Sequence, residues 1–199
     1  MGHSQADKAA SRERILKLAS AQIRKQGLAS LSVGKLMGKA GLTHGGFYGH
    51  FKSRSDLVAR AVERALADGA GAARAAGAAP ATGSARATGQ HRPPGFAGFV
   101  RSYLSRAHRD APETGCAIAA LAGDVGRADP DARAVMAAAI EGMIAGVAGQ
   151  LGTGDEDEAI AVVAAMIGGL TISRVFTDPK RSEAVLRAVR EKLAPREAG

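Results

Sequence analysis

Residues 32–56 constrain the chain more than any other stretch. They read Ser-Val-Gly-Lys-Leu-Met-Gly-Lys-Ala-Gly-Leu-Thr-His-Gly-Gly-Phe-Tyr-Gly-His-Phe-Lys-Ser-Arg-Ser-Asp. Ser32 is a good N-cap for a short helix that carries Val33, Leu36, Met37 and Ala40 on one face. Gly41 suits the left-handed residue on which helices commonly end. Leu42 plugs the turn, and Thr43 is placed to cap a second helix through Phe47, Tyr48 and Phe51. Two short helices around a tight glycine turn form a helix-turn-helix. The second helix is small and polar on the side that would meet a major groove, and aromatic on the side that would meet its own core.

Charge points the same way. The chain has a net charge of +8. In residues 1–60 only Asp7, Glu13 and Asp56 oppose eleven Lys and Arg side chains, whereas residues 61–199 hold sixteen basic and sixteen acidic residues. The whole excess therefore sits at the helix-turn-helix end, which favours a polyanionic partner over a merely solvated surface.

These residues carry a family resemblance. Gly41-Leu42-Thr43-His44-Gly45-Gly46-Phe47-Tyr48-Gly49-His50-Phe51, then Lys52-Ser53-Arg54 and Asp56-Leu57, resembles the recognition segment of TetR-family transcriptional regulators. Upstream, Arg14-Ile15-Leu16, Ala19, Ile23 and Gly27 resemble the first helix of that family. The resemblance implies an all-α fold in two parts. Residues 1–56 would be a three-helix helix-turn-helix DNA-binding domain, and residues 57–199 a helical regulatory and dimerisation domain. It also implies a ligand-responsive regulator, a repressor rather than an activator, that binds a palindromic operator as a homodimer in the cytoplasm and is released by a small effector. A sequence-tolerant architectural DNA binder without inducer is the alternative.

Within the recognition segment the resemblance places Thr43, His44, Gly45 and Gly46 nearest the base edges. It places Tyr48, His50, Lys52 and Arg54 against phosphates, or bracing residues that touch them. Lys52 and Arg54 also suit that role on charge alone. Tyr48 and His50 are equally readable as half-buried packing residues, and Phe47 and Phe51 as core. Three glycines in about two turns cost on the order of 2–3 kcal/mol of helix propensity. Either the backbone then approaches the groove closely, or reading shifts to Thr43, His44 and the preceding helix, for instance Lys35.

Along the chain, residues 1–10 read as polar and disordered, and a first helix as running from about Ser11 to Gln26. Ser53 and Asp56 form a capping box that opens a long helix, which ends near residue 75. An Ala/Gly-rich mobile linker is expected near 76–92. One helix from Phe96 to the Ala111-Pro112 stop, then helices near 115–127, 130–151, 155–176 and 179–193, complete the reading. The last two resemble the pair through which TetR-family chains dimerise, with Val163, Ile167, Val185 and Val189 at the interface.

A ligand pocket is expected from the inward stripes of these helices. Phe96, Phe99, Tyr103, Cys116 and Ala120 would line one side. Met136, Ile140, Met143, Met166 and Leu170 would line the other, with Thr171 and Arg174 as polar groups. Such a lining suits a small hydrophobic or weakly anionic effector. Thr114-Gly115-Cys116 is similar to a Gly-Cys helix start in the regulatory domain of a subset of the family, some of which sense electrophiles or oxidants. A lone Cys reads equally as a small buried hydrophobe.

Other classes are disfavoured. No apolar run reaches the ~18 uninterrupted residues of a membrane span. One Cys excludes an internal disulfide. The five His residues make no metal spacing, and no nucleophile elbow or phosphate loop stands out, so neither enzyme nor cofactor is expected.

Overall fold

The computed structural model describes residues 5–75, 95–152 and 155–194; the linker expected near 76–92 lies outside the described residues. Nine α-helices and two 3-10 segments make up the described chain, and no strand occurs among these residues. The helices are α1 (Gln5–Gln26), α2 (Val33–Lys39), α3 (Arg54–Ala75), α4 (Phe96–Tyr103), α5 (Arg106–Asp110), α6 (Ala117–Val125), α7 (Pro130–Leu151), α8 (Glu156–Val175) and α9 (Pro179–Leu193). The 3-10 segments are Leu28–Ser30 and His44–Gly49.

Side-chain caps set several of the boundaries, although Ser32, expected to cap α2, makes no capping bond. The Ser53 hydroxyl accepts from the Asp56 N–H at 3.0 Å, and the Asp56 carboxylate reaches back to the Lys52 N–H at 3.0 Å. The capping box at the start of α3 is therefore displaced by one residue on its return arm. Asp155 and Asp178 cap α8 and α9 through the N–H groups of Glu158 and Lys180. Gly41 takes φ +74° after α2, where a side chain would be strained.

Two expectations are corrected. Residues 5–10 form the first turns of α1, not a disordered arm. The segment Gln-Ala-Asp-Lys-Ala-Ala is polar, but it consists of good helix formers and holds no glycine or proline. The single helix expected from Phe96 to Ala111 is broken into α4 and α5. Ser105 starts α5 by accepting from the His108 N–H at 3.1 Å. The carbonyls freed at the break are taken by distant side chains: His108 Nδ1 lies 2.7 Å from the Tyr103 oxygen, and Arg190 donates to the Leu104 oxygen at 3.0 Å. The break is stable because its backbone groups are satisfied from elsewhere.

The N-terminal helices close around Ile15, Ile23, Leu36, Met37, Phe51 and Leu57, all essentially fully buried. α3 packs on both α1 and α7, so one helix belongs to both parts of the molecule. The larger part is built on α7, α8 and α9 around Leu104, Leu121, Met166, Leu170 and Leu186. By length and composition α7 and α8 are apolar enough to cross a membrane; here they pack against each other and against α3, α6 and α9.

A second tie holds the two parts together. The Asp124 carboxylate near the end of α6 accepts from the Leu28 N–H at 2.9 Å. Gly27 beside it has φ +77° and ψ 170°, and a Cβ there would lie 2.5 Å from that carboxylate oxygen.

Candidate nucleic-acid interface

The recognition segment departs from the expected α-helix. His44–Gly49 winds as 3-10 helix, Thr43 is extended (φ −78°, ψ 153°), and its hydroxyl makes no capping bond. Gly45, Gly46 and Gly49 account for this. Glycine carries the largest entropic penalty among non-proline residues in a helix, so three of them in six residues remove the gain from continuing regular α turns. Packing does not force them: a Cβ would meet nothing within 4 Å at Gly45 or Gly49, and only ordinary contact at Gly46. The outer face of the segment is therefore bare backbone flanked by His44 and Tyr48.

Core and surface divide as the aromatic pattern predicts. Phe47 and Phe51 are buried and stack at 5.6 Å, while Tyr48 stands 73% exposed, edge-on to Phe47 at 5.2 Å. Thr43, His44, Gly45, Lys35, Lys52 and Arg54 are exposed, and His44 lies over Gly34 of α2. Among the described residues neither Lys52 nor Arg54 is in an ion pair, because the Asp56 carboxylate is turned to the Lys52 N–H and to Arg60. His50 is half-buried, with an Nδ1 that has no hydrogen-bond partner. Burial holds its imidazole below the ordinary histidine range, and Lys8 and Arg12 push it the same way.

The result is a compact module with a cationic rim and an unobstructed backbone edge. Residues 15–61 match the family described as "Bacterial regulatory proteins, tetR family". Over that segment the chain is similar to TetR-family regulators. Proteins of the TetR family are DNA-binding transcriptional regulators and not enzymes, and they bind operator DNA as dimers.

Solved structures of TetR-family regulators share the fold over nearly the whole chain. The reduced form of Escherichia coli NemR superposes with a TM-score of 0.67 at 18% identity, covering 92% of this chain and 96% of that one. A TetR-family regulator from Agrobacterium tumefaciens gives 0.66 at 19% identity, with 94% and 99% covered. RolR in complex with resorcinol gives 0.52 at 18% identity, with 98% of both chains covered. No curated protein sequence matches the chain.

Most residues expected to line a pocket converge on one core. Phe99, Tyr103, Met136, Met143, Met166 and Leu170 are buried there; Phe96, Cys116, Ala120 and Ile140 are half-buried against it. The two polar ones are otherwise engaged. Thr171 is exposed and donates to the Ala119 oxygen at 3.1 Å. Arg174 donates to the His108 and Arg109 oxygens at 2.9 and 3.1 Å, closing the end of α5. Of the expected lining, Arg174 alone reaches either of two open clefts beside α9, of about 380 and 360 Å³.

Sequence reasoning missed His108, which organises this region. With Nδ1 on the Tyr103 carbonyl, Nε2 accepts from the Cys116 N–H at 2.8 Å. That pattern requires the neutral Nδ1–H tautomer, and burial correspondingly lowers the His108 pKa. The Tyr103 ring stands edge-on to His108 at 4.7 Å, and its buried hydroxyl has no hydrogen-bond partner. Burial raises the phenol pKa well above its usual value, with the neighbouring Cys116 adding to it. The only signal in sequence was a lone His inside the helix expected from Phe96 to Ala111.

The residues expected at a subunit interface divide between inside and outside. Val163 is buried, and Ile167, Val185 and Val189 are half-buried. Val189 seats its methyl groups over Gly169, so it joins α9 to α8 within one protomer. The large apolar residues left exposed on α8 and just after it are Ile160, Ile172, Val175 and Phe176.

Proposed function

We propose that the protein is a ligand-responsive repressor that binds a palindromic operator as a homodimer in the cytoplasm and leaves it when a small effector occupies the regulatory domain. The carrying observation is the outer face of α8. Ile160, Ala164, Gly168, Ile172 and Val175 recur at helical spacing, and all but the half-exposed Gly168 face solvent. Ile172 is 52% exposed and Val175 75%. A stripe of that length and composition calls for an apolar partner. A second copy supplies the matching stripe by symmetry, and with it the second recognition segment that a palindrome requires. The interface then centres on Ile160, Ile172 and Val175, with Ile167 and Val185 at its edge and Val163 and Val189 behind it.

The effector reading rests on the core around Phe99, Tyr103, Met136 and Met166. Among the described residues of that core, the buried Tyr103 hydroxyl lies beside the Cys116 thiol and has no strong hydrogen-bond partner, which a small hydrophobic or weakly anionic molecule would supply. RolR, similar in fold, is seen with resorcinol, a molecule of that size and kind. Operator selection from random duplex tests the reading: enriched sites should be palindromic, and their affinity should exceed that for unrelated duplex at least a thousandfold. Equal affinity for both would favour the architectural alternative.

A second reading makes Cys116 the sensor. The thiol is free, half-buried, and sits at the N-cap of α6 beside the Tyr103 phenol. Electrophile or oxidant would then release DNA from the parent protein and not from Cys116→Ser. A non-covalent effector would act on both.

A further inference from the structure

The first turns of α9 carry a stripe that its own packing leaves open. Ser182 and Leu186 are buried, and Val189 is turned onto Gly169 of α8. Lys180, Glu183, Ala184 and Arg187 recur at helical spacing on another side and, with Arg106 and Arg109 of α5, line the cleft of about 380 Å³. The cleft of about 360 Å³ adjoins it at Arg109 and Pro179, and adds Arg174, Phe176 and Thr177 to the same groove.

Charge in this groove is unbalanced, although residues 61–199 as a whole are neutral. Its two acids are already committed. Asp110 accepts from Nε and Nη2 of Arg109 at 2.6 and 3.0 Å, and Glu183 accepts from Arg106 at 2.7 Å and from Arg190 at 3.3 Å. Arg174 donates to the carbonyls of His108 and Arg109, not to an acid. Among the described residues no ion pair engages Arg174, Lys180 or Arg187. The floor is also fixed in place. Arg109 Nη1 donates to the Ser182 hydroxyl at 2.9 Å, and that hydroxyl donates to the Ser173 oxygen at 2.6 Å. Three cations without a carboxylate partner thus line a concave surface whose frame of α5, α8 and α9 is hydrogen-bonded beforehand.

We propose that this groove is a second ligand site, separate from the operator face and from the core around Tyr103, and that it takes an organic di- or triphosphate such as a nucleotide. Several spare cations call for more than one negative charge, and guanidinium groups suit phosphate because their N–H donors match its oxygens in pairs. The phosphates lie in the first cleft between Lys180 and Arg187. The organic ring lies in the second, where Phe176 and Pro179 supply apolar surface. Each cleft is of a size common to small-molecule sites, roughly 300–1,000 Å³.

The test is calorimetric titration with ATP (magnesium-free), AMP and inorganic tripolyphosphate at about 50 and 300 mM salt. The proteins are the parent, Lys180→Ala/Arg187→Ala, Arg187→Lys, Phe176→Ala and Lys52→Ala/Arg54→Ala. The parent should bind one ATP per protomer, more tightly than AMP, and more weakly at the higher salt. Losing two cations beside the phosphates should lower ATP affinity about tenfold or more, with the helical signal kept because both side chains are exposed. Arg187→Lys should keep most of the affinity. Phe176→Ala should weaken ATP and leave tripolyphosphate unchanged. The Lys52/Arg54 variant, altered only on the operator face, should bind ATP like the parent. No binding by the parent, or equal ATP affinity in the Lys180/Arg187 variant, overturns the site. Loss of ATP binding in the Lys52/Arg54 variant also overturns it, because the polyanion would then be occupying the operator face.

Discussion

Gly27→Ala is the sharpest perturbation of the joint between the two parts of the molecule. Position 27 has φ +77° and ψ 170°, a region that residues with a Cβ almost never adopt, at a cost of about 1–3 kcal/mol. The new Cβ would also lie 2.5 Å from the Asp124 carboxylate oxygen, which must retreat and lose its 2.9 Å bond from the Leu28 N–H. A hydrogen bond to a charged acceptor contributes about 1.5–3 kcal/mol. Together the two effects destabilise by about 2.5–6 kcal/mol, which in a chain of this length lowers Tm by roughly 5–24 °C.

The parts separate in a double-mutant cycle. In an Asp124→Ala background the steric component has nothing to displace, so Gly27→Ala should cost only its backbone part, leaving a coupling of about 1.5–3 kcal/mol. Denaturant unfolding of the four proteins measures it. A Gly27→Ala penalty below about 0.5 kcal/mol, or equal penalties in both backgrounds, would refute the reasoning.

Three further outcomes are expected. Ile172→Glu places a charge in the proposed α8 interface and should yield monomers by light scattering with its helical signal kept; a dimer of parental mass contradicts the interface. Lys52→Ala or Arg54→Ala should weaken operator and random duplex by similar factors, whereas His44→Ala should weaken operator more, as read by competition binding. Burial lowers the His108 pKa in the folded state, so its contribution is intact above the unfolded histidine value near 6.5 and is lost as pH falls through the folded one. Melting at pH 7.5 and 5.5 should show a smaller acid-induced drop in His108→Gln than in the parent.

What the sequence made legible is what is decided locally. Ser53 announces a helix start because a cap acts within three residues, and Gly41 announces a stop because only its own φ is at issue. The division of Phe47 and Phe51 from Tyr48 follows from periodicity and holds. What was not legible depends on partners far along the chain. The α4–α5 break rests on Arg190 and, through the end of α5, on Arg174. The Gly27–Leu28 corner rests on Asp124, 96 residues beyond Leu28. Polar composition concealed the helix over residues 5–10. The 3-10 winding of His44–Gly49 was foreshadowed by three glycines, but a propensity penalty says only that a regular helix is weak, not which tighter form replaces it.

The central claim is that two copies of this chain, joined through α8 and α9, present two such recognition segments to one palindromic site. Native mass spectrometry of the protein on its selected duplex tests it most directly. The account predicts chains bound in pairs, with no one-chain complex populated before the two-chain complex as protein is added, and the loss of that pairing in Ile172→Glu. A stable complex of one chain per duplex, formed by the unmutated protein at full operator affinity, would contradict it.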